Sequence, residues 1–282
     1  MPPDAASALL DAVHAADRDR YLSVLYAPEA SRAALAALYA FNAEIAAVRD
    51  RIREPLPGEI RLQWWRDVLE GRSPGGGHPV AAALLDVVER HELPAATLVA
   101  MLDARIFDLY DDPMPSTNDL EGYCGETASA LVQLAAMVLE PQQARTVAAL
   151  SGHAGCAQAI AGLIRLLPLH RARGQCYVPA DILAAAGTDA AGFRSAADPQ
   201  AAARAVAAMA ALGRHHLAAF AASAAGLPAS LRPAFLPLAV VPGYLAAADR
   251  NPAAALAHSV GLPEWRRHTL FLRRALVGFG RS

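Results

Sequence analysis

The chain predicts an all-α protein on three observations. Apolar residues make up 55% of its 282 residues and recur at helical spacing nearly throughout. Alanine dominates the composition, while strand formers are sparse. No long linker or shift in composition interrupts the run, so one domain is expected over 1–282, built from about ten to twelve helices of ordinary length.

Pro3 and Asp4 are suited to opening a first helix over about 4–17, because proline at the first helical position forfeits only an N–H that has no partner there. Further helices are expected at about 29–53, 58–71, 79–90 and 94–110, with breaks at Pro55, Pro57 and the Ser73–Gly77 run. The Gly75–Gly77 triplet lacks the Gly-Lys-Ser/Thr that would open a phosphate-binding helix, and it reads as a connector. Beyond Pro113 and Pro115 come helices at about 117–138 and 142–166, then a break at Gly187–Phe193 and a helix at about 198–223. The last two, about 232–248 and 264–277, differ in character: Pro237 and Pro242 make the first a kinked or broken buried helix. No apolar stretch of roughly 18 residues runs free of helix breakers, so a membrane-spanning helix is not expected. Pro233–Ala248 comes nearest, and leaves peripheral membrane contact open.

Charge and composition exclude several classes. A formal net charge of −2 gives no global field to attract nucleic acid. Every basic residue of the Lys/Arg pair is arginine, which removes Schiff-base lysine chemistry and any P-loop. Cys124, Cys156 and Cys176 are odd in number and lack the close pairing of zinc or redox motifs, so free buried thiols in a reducing compartment are expected. The opening segment MPPDAASALLDAVHAADRDRY carries acids early and no signal-peptide apolar run, which suggests a cytoplasmic protein, with the periphery of the inner membrane as the alternative site.

Five segments carry a more specific signal. These are ALYAFNAEIAAVRDR at Ala37–Arg51, RLQWWRDVLEG at Arg61–Gly71, Asp103–Leu109, DLEGYCGETAS at Asp119–Ser129 and AQAIAGLIRLLPLHRARGQCYVP at Ala157–Pro179. In this order they resemble the squalene/phytoene synthase family, over about Tyr21–Arg250. The resemblance implies a single-domain isoprenoid-synthase helical fold with a central cavity, across which two acid-rich helical motifs face each other. Active members place aspartates where this chain has Ala46, Ala47 and Asp50 in the first motif, and Leu166 and His170 in the second. Asp50 alone survives.

The loss bears on chemistry. Ionising an allylic diphosphate calls for Mg²⁺ held by opposed carboxylates, acting as a Lewis acid on the leaving pyrophosphate. Mg²⁺ takes hard oxygen ligands in near-octahedral geometry, and acids four apart on a helix aim two carboxylates at one point. Alanine at 46 and leucine at 166 remove half of each clamp. Within the family, Asn42, Glu44, Arg61–Trp65, Gln158, Arg165, Pro168 and His170 resemble a divergent branch that includes a mitochondrial complex I assembly factor related to phytoene synthase. That resemblance implies a non-catalytic role with complex I subunits or assembly factors, with no cofactor and with a prenyl diphosphate or lipid as a ligand the cavity can take.

Each candidate residue keeps two readings. Asp50 is a weak metal candidate or, between Arg49, Arg51 and Arg53, a surface ion-pair member. Asn42 and Glu44 either form a polar network lining the cavity or, for Glu44, face solvent or pair with a cation. Trp64 and Trp65 point about 100° apart, so one is core and the other sits at a cavity rim or partner surface. Arg165, His170, Arg171 and Arg173 are a metal-free phosphate or headgroup site, with Tyr177 beside it, or a solvated basic patch at a helix end. Asp108 resembles an acid of active relatives, whereas Asp111 and Asp112 read as turn residues before Pro113. His215, His216 and the Arg266–His268 run read as surface. The enzymatic alternative is a Mg²⁺-dependent head-to-head prenyl-diphosphate transferase using Asp50, Glu44 and Asp108.

Overall fold

A computed structural model describes residues 3–280. All regular structure among them is helical, in eighteen α-helices linked by 3₁₀ turns and one π-helical turn. The count exceeds the expected ten to twelve because prolines and turns divide long apolar runs and because short helices fill the connections. Arg18–Leu25, Leu167–Ala172, Ala180–Ala185, Ala190–Ser195 and Pro252–Ala257 are all eight residues or fewer, too short for periodicity to reveal. Capping does mark some of them: the Asp17 carboxylate accepts from the amides of Asp19 and Arg20 at 3.0 Å, and Asp189 from Gly192 at 2.7 Å.

The chain forms two compact units, each gathered from three segments. The first comprises Met1–Tyr110, Ala130–Ser151 and Leu227–Pro237. Its axis is the helix Glu29–Ala46, which packs against Pro3–Ala16, Pro79–Arg90 and Ala130–Leu139. Ala34 through Asn42 are buried without interruption, so this helix is enclosed on every side and not merely amphipathic. Alanines let its neighbours approach closely, and Phe41 meets the Trp65 ring edge-on at 5.0 Å. The expected helix over 29–53 stops at Ala46; Arg49–Arg51 forms a separate 3₁₀ turn, with Arg49 Nη1 donating to the Ile52 carbonyl at 3.3 Å. Pro55–Leu69 then packs on Ala95–Tyr110, with Gly58 so close to Ile52 and Leu109 that a Cβ there would lie 2.6 and 2.7 Å from their methyl carbons.

The second unit comprises Asp111–Ser129, Gly152–Gly226 and Leu238–Ser282. Pro199–Ser223, opened by Asp198 as N-cap, is its longest helix and packs against Ala180–Ala185, Val241–Arg250 and Pro252–Ala257. The expected helix over 117–138 is broken by a π-helical turn at Gly125–Ser129, where the Thr127 hydroxyl back-bonds to the Tyr123 carbonyl at 2.6 Å. Ser129 Oγ donates to the Gly152 carbonyl at 2.8 Å, and a Cβ on Gly155 would lie 2.3 Å from the Ser129 backbone. Only glycine lets these two backbones touch. The helix Ala148–Arg165 ends before Leu166 because Pro168 lacks the N–H that would continue the ladder.

Among the described residues two helical stretches, Pro141–Arg165 and Ala229–Arg250, are long and apolar enough to cross a membrane. For the first a helix was expected but not one of that length and apolarity; the second is the anticipated proline-broken segment, split around a 3₁₀ turn at Leu236–Val240. In their most apolar windows 56% and 72% of the residues are buried within the protein, the pattern of core helices.

The Gly155–Ser129 contact makes a direct prediction. Gly155→Ala should lower unfolding stability by about 1–3 kcal/mol, the usual cost of overpacking. Gly152→Ala, whose Cβ would meet open space, should be neutral or mildly stabilising in the same thermal melts.

Candidate functional site

In the first unit Arg61 and Trp64, singled out from sequence, meet at Glu44, which Arg61 pairs with and from which it reaches the Trp64 ring. The half-buried Glu44 carboxylate pairs with Arg51 at 3.3 Å and Arg61 at 3.5 Å, so of the readings left open for it the structure shows the paired one. Arg61 also stacks over the Trp64 ring, 4.7 Å from its centroid, and donates from Nη2 to His78 Nε2 at 3.1 Å. Because guanidinium only donates, the neutral His78 ring carries its proton on Nδ1, a buried atom with no hydrogen-bond partner. Burial holds the His78 pKa below the ordinary imidazole value; the Glu44 charge opposes this and the Arg61 charge reinforces it.

The tryptophan pair divides as its spacing requires. Trp65 is fully buried, and Trp64 is half-buried. Trp64 lines a concave surface of about 720 Å³, with Leu56, Ile60 and Ile106 as apolar wall and Glu59 and Asp67 as polar groups. Tyr110 donates to Glu59, and Arg66 pairs with Asp103.

The three acids kept for the enzymatic reading stand in different surroundings. Asp50 is exposed on the 3₁₀ turn, off the helix that carries Asn42 and Glu44. Asp108 is buried in the last turn of Ala95–Tyr110 and pairs with Arg105 at 3.1 Å. Asn42 is buried on the central helix. The continuous helix assumed for the first motif is therefore absent, and position 50 does not stand one α-helical turn beyond position 46.

The basic residues of the second unit are largely engaged with their own backbone. Arg171 spans two carbonyls, donating from Nε and Nη2 to Arg194 at 3.0 and 2.9 Å and from Nη1 to Leu256 at 2.8 Å. Arg165 donates from Nε to the Val260 carbonyl at 3.1 Å and stacks over Tyr244 at 4.2 Å. Arg173 is half-buried at the C-cap of the helix Leu167–Ala172. His170 is buried against Tyr177 with ring centroids 4.8 Å apart, while Leu166 is exposed. Tyr177 is itself buried, 6.0 Å from the Tyr123 ring, and Gln158 lies half-buried along Ala148–Arg165.

A second polar group was not anticipated. His216, expected at the surface, is buried: its Nε2 lies 3.0 Å from Glu121 Oε1, and its Nδ1 lies 3.1 Å from His153 Nδ1. One proton sits between the two imidazoles, and the carboxylate orients the inner ring, an arrangement able to pass a proton along Glu121–His216–His153. Burial holds His153 below the ordinary imidazole range, with His216 and His215 adding to the effect and Glu121 opposing it. The residues lie 32 and 63 positions apart, and no local motif links them. The Arg266–His268 run likewise splits, since Arg267 is buried against Tyr244 while Arg266 and His268 are exposed. Among the described residues no group of three or more His, Cys, Asp or Glu side chains is placed to hold a metal ion.

With this architecture in view, the fold can be placed by comparison. A squalene synthase, HpnC, from Alicyclobacillus acidocaldarius superposes with a TM-score of 0.72 at 18% identity, over 90% of this chain and 97% of that one. The fold is the all-helical isoprenoid-synthase fold. The squalene/phytoene synthase family profile matches residues 13–269, and the chain belongs to that family. Among curated proteins it is 34% identical over 182 residues to NADH dehydrogenase (ubiquinone) complex I, assembly factor 6 of Rattus norvegicus, covering 64% of this chain and 54% of that protein. It is 27% identical over 188 residues to presqualene diphosphate synthase of Zymomonas mobilis, covering 64% and 62% respectively. The chain thus spans about half the length of the assembly factors it matches.

The depressed imidazoles of His78 and His153, and that of His91, which burial also holds low, bind fewer protons in the folded than in the unfolded chain. Their contribution to stability is present above the unfolded value of about 6.5 and is lost as pH falls toward the folded values. Thermal melts should therefore weaken between about pH 7 and pH 5, and a His78→Gln, His153→Gln double variant should flatten that slope.

Proposed function

We propose that this chain works as a protein-level factor in the assembly of respiratory complex I and not as an efficient prenyl-diphosphate transferase. The observation that carries the reading is the state of the remaining acids. Glu44 is neutralised by Arg51 and Arg61, and Asp108 by Arg105. A carboxylate held by arginine has to give up that partner before it can ligate Mg²⁺, and at Asp108, where the pair is buried, that leaves an uncompensated charge. Alanine at 46 and leucine at 166 supply no substitute oxygen. The similarity to complex I assembly factor 6 supports the same reading from the side of the partner, which would be a complex I subunit or another assembly factor.

The apolar concavity beside Trp64 is a candidate place for a prenyl or lipid ligand, since such pockets pair an apolar wall with a few polar groups. In the proposed role no Mg²⁺ is needed. The protein would act in the compartment where complex I is built, in the cytoplasm or at the inner-membrane periphery.

The transferase reading rests on the similarity to presqualene diphosphate synthase, and one assay separates the two. Purified protein incubated with farnesyl or geranylgeranyl diphosphate and Mg²⁺ should release no pyrophosphate above background, beside an active synthase of the family. Release abolished by Asp50→Ala would overturn the proposal. In cells, deletion should lower complex I activity, and Asp50→Ala should restore it as fully as wild type; undiminished activity in the deletion strain would refute the assembly role.

A further inference from the structure

The helix Glu264–Val277, EWRRHTLFLRRALV, presents an exposed apolar stripe that the proposed function does not use. Trp265 is 70% exposed, Leu272 50% and Leu276 72%. At 3.6 residues per turn, positions seven and eleven beyond Trp265 return to within about 20° of it, so these three side chains form one line along the helix. The opposite face is the packed one. Phe271 is fully buried, Arg267 is buried and donates to the Tyr244 hydroxyl at 3.3 Å, and Arg274 donates to the Gly278 carbonyl at 3.2 Å and lies over Phe279.

The charge around the stripe has one sign. Arg266 and Arg273 are exposed along one flank, and the His268 imidazole along the other. The helix has a single acid, Glu264, and its carboxylate is turned to Arg267 at 3.4 Å. The stripe therefore lies on a helix packed through its opposite face, bordered along one flank by two arginines, and the helix's one acid is paired with Arg267. A solvated face would not line up a tryptophan and two leucines, and the bordering cations favour an anionic partner over a neutral apolar one.

We infer that Glu264–Val277 is an interfacial helix that lays Trp265, Leu272 and Leu276 into an anionic lipid surface, with Arg266 and Arg273 on the headgroups. Amphipathic helices bind this way, by buried apolar area together with attraction to anionic lipid, and tryptophan prefers the headgroup level. The inference is independent of the complex I reading, because its test measures lipid binding and not respiration.

The test is co-sedimentation of the purified full chain with vesicles of phosphatidylcholine alone and of phosphatidylcholine mixed equally with phosphatidylglycerol. Binding is expected to the mixed vesicles, weaker on neutral ones and reduced by salt. Leu272→Ser with Leu276→Ser should abolish it, and Arg266→Gln with Arg273→Gln should reduce it by about tenfold or more on the mixed vesicles only. All four positions are exposed, so circular dichroism and the melting temperature should stay unchanged. Brominated lipid should quench Trp265 emission, and the quenching should vanish in Trp265→Tyr. Absence of binding to either vesicle, or binding unaltered by both double variants, would overturn the inference. Concentration-dependent dimerisation removed by Leu272→Ser with Leu276→Ser, without vesicle binding, would assign the face to a second copy of the chain and overturn it as well.

Discussion

Close approach of helical backbones is the constraint on which much of this structure depends. In the first unit a helix buried from Ala34 to Asn42 is surrounded by others, which alanine permits because its side chain adds little width. In the second unit Gly155 sits on the Ser129 backbone, and Gly213 faces Leu245 and Ile160 at distances a Cβ would bring to 2.9 and 3.2 Å. Small residues thus set the spacing of the helices in each unit, and the spacing in turn fixes where the larger and polar side chains can be placed. The π-helical turn at Gly125–Ser129 belongs to this contact, since Ser129 both abuts Gly155 and caps the Gly152 carbonyl.

Arginine is the second organising element. Arg171 ties two carbonyls far apart in sequence, Arg165 ties a third, and Arg204 holds the Ala186 carbonyl through two of its nitrogens at 3.1 and 2.8 Å. The planar fork suits this work, since it offers several donors in fixed directions where lysine offers a point charge. Elsewhere arginines pair with acids, Glu44 and Asp108 among them. Packing and site residues are separable, so one helical scaffold can carry different sites.

The fold class was legible because it rests on period and punctuation. Pro79–Arg90, Pro199–Ser223 and Glu264–Val277 fall where apolar spacing and capping residues put them. The breaks at Ala46 and Gly125 were not legible, although each lies inside a motif used to recognise the family, whereas the end at Arg165 falls where Pro168 puts it. Apolar spacing continues across both, and a 3₁₀ or π turn shifts the register by too little to disturb a pattern of alanines. The tryptophan pair was half legible: adjacency dictated that one ring be core, and the Phe41 contact chose Trp65. Glu121, His153 and His216 were invisible, since nothing near any one of them in sequence announces the other two.

By itself, then, the sequence determined an all-α chain, the family to which it belongs and the apolar side chains at Ala46 and Leu166, because composition, periodicity and residue identity are local properties. Tertiary structure alone decided which charges meet. It paired Glu44 with Arg51 and Arg61, committed Arg171 to carbonyls, buried His216 beside Glu121 and put the side chains of Trp265, Leu272 and Leu276 at the surface. Pairing and exposure depend on distances of a few ångströms between residues tens of positions apart, and those distances exist only once the helices have packed.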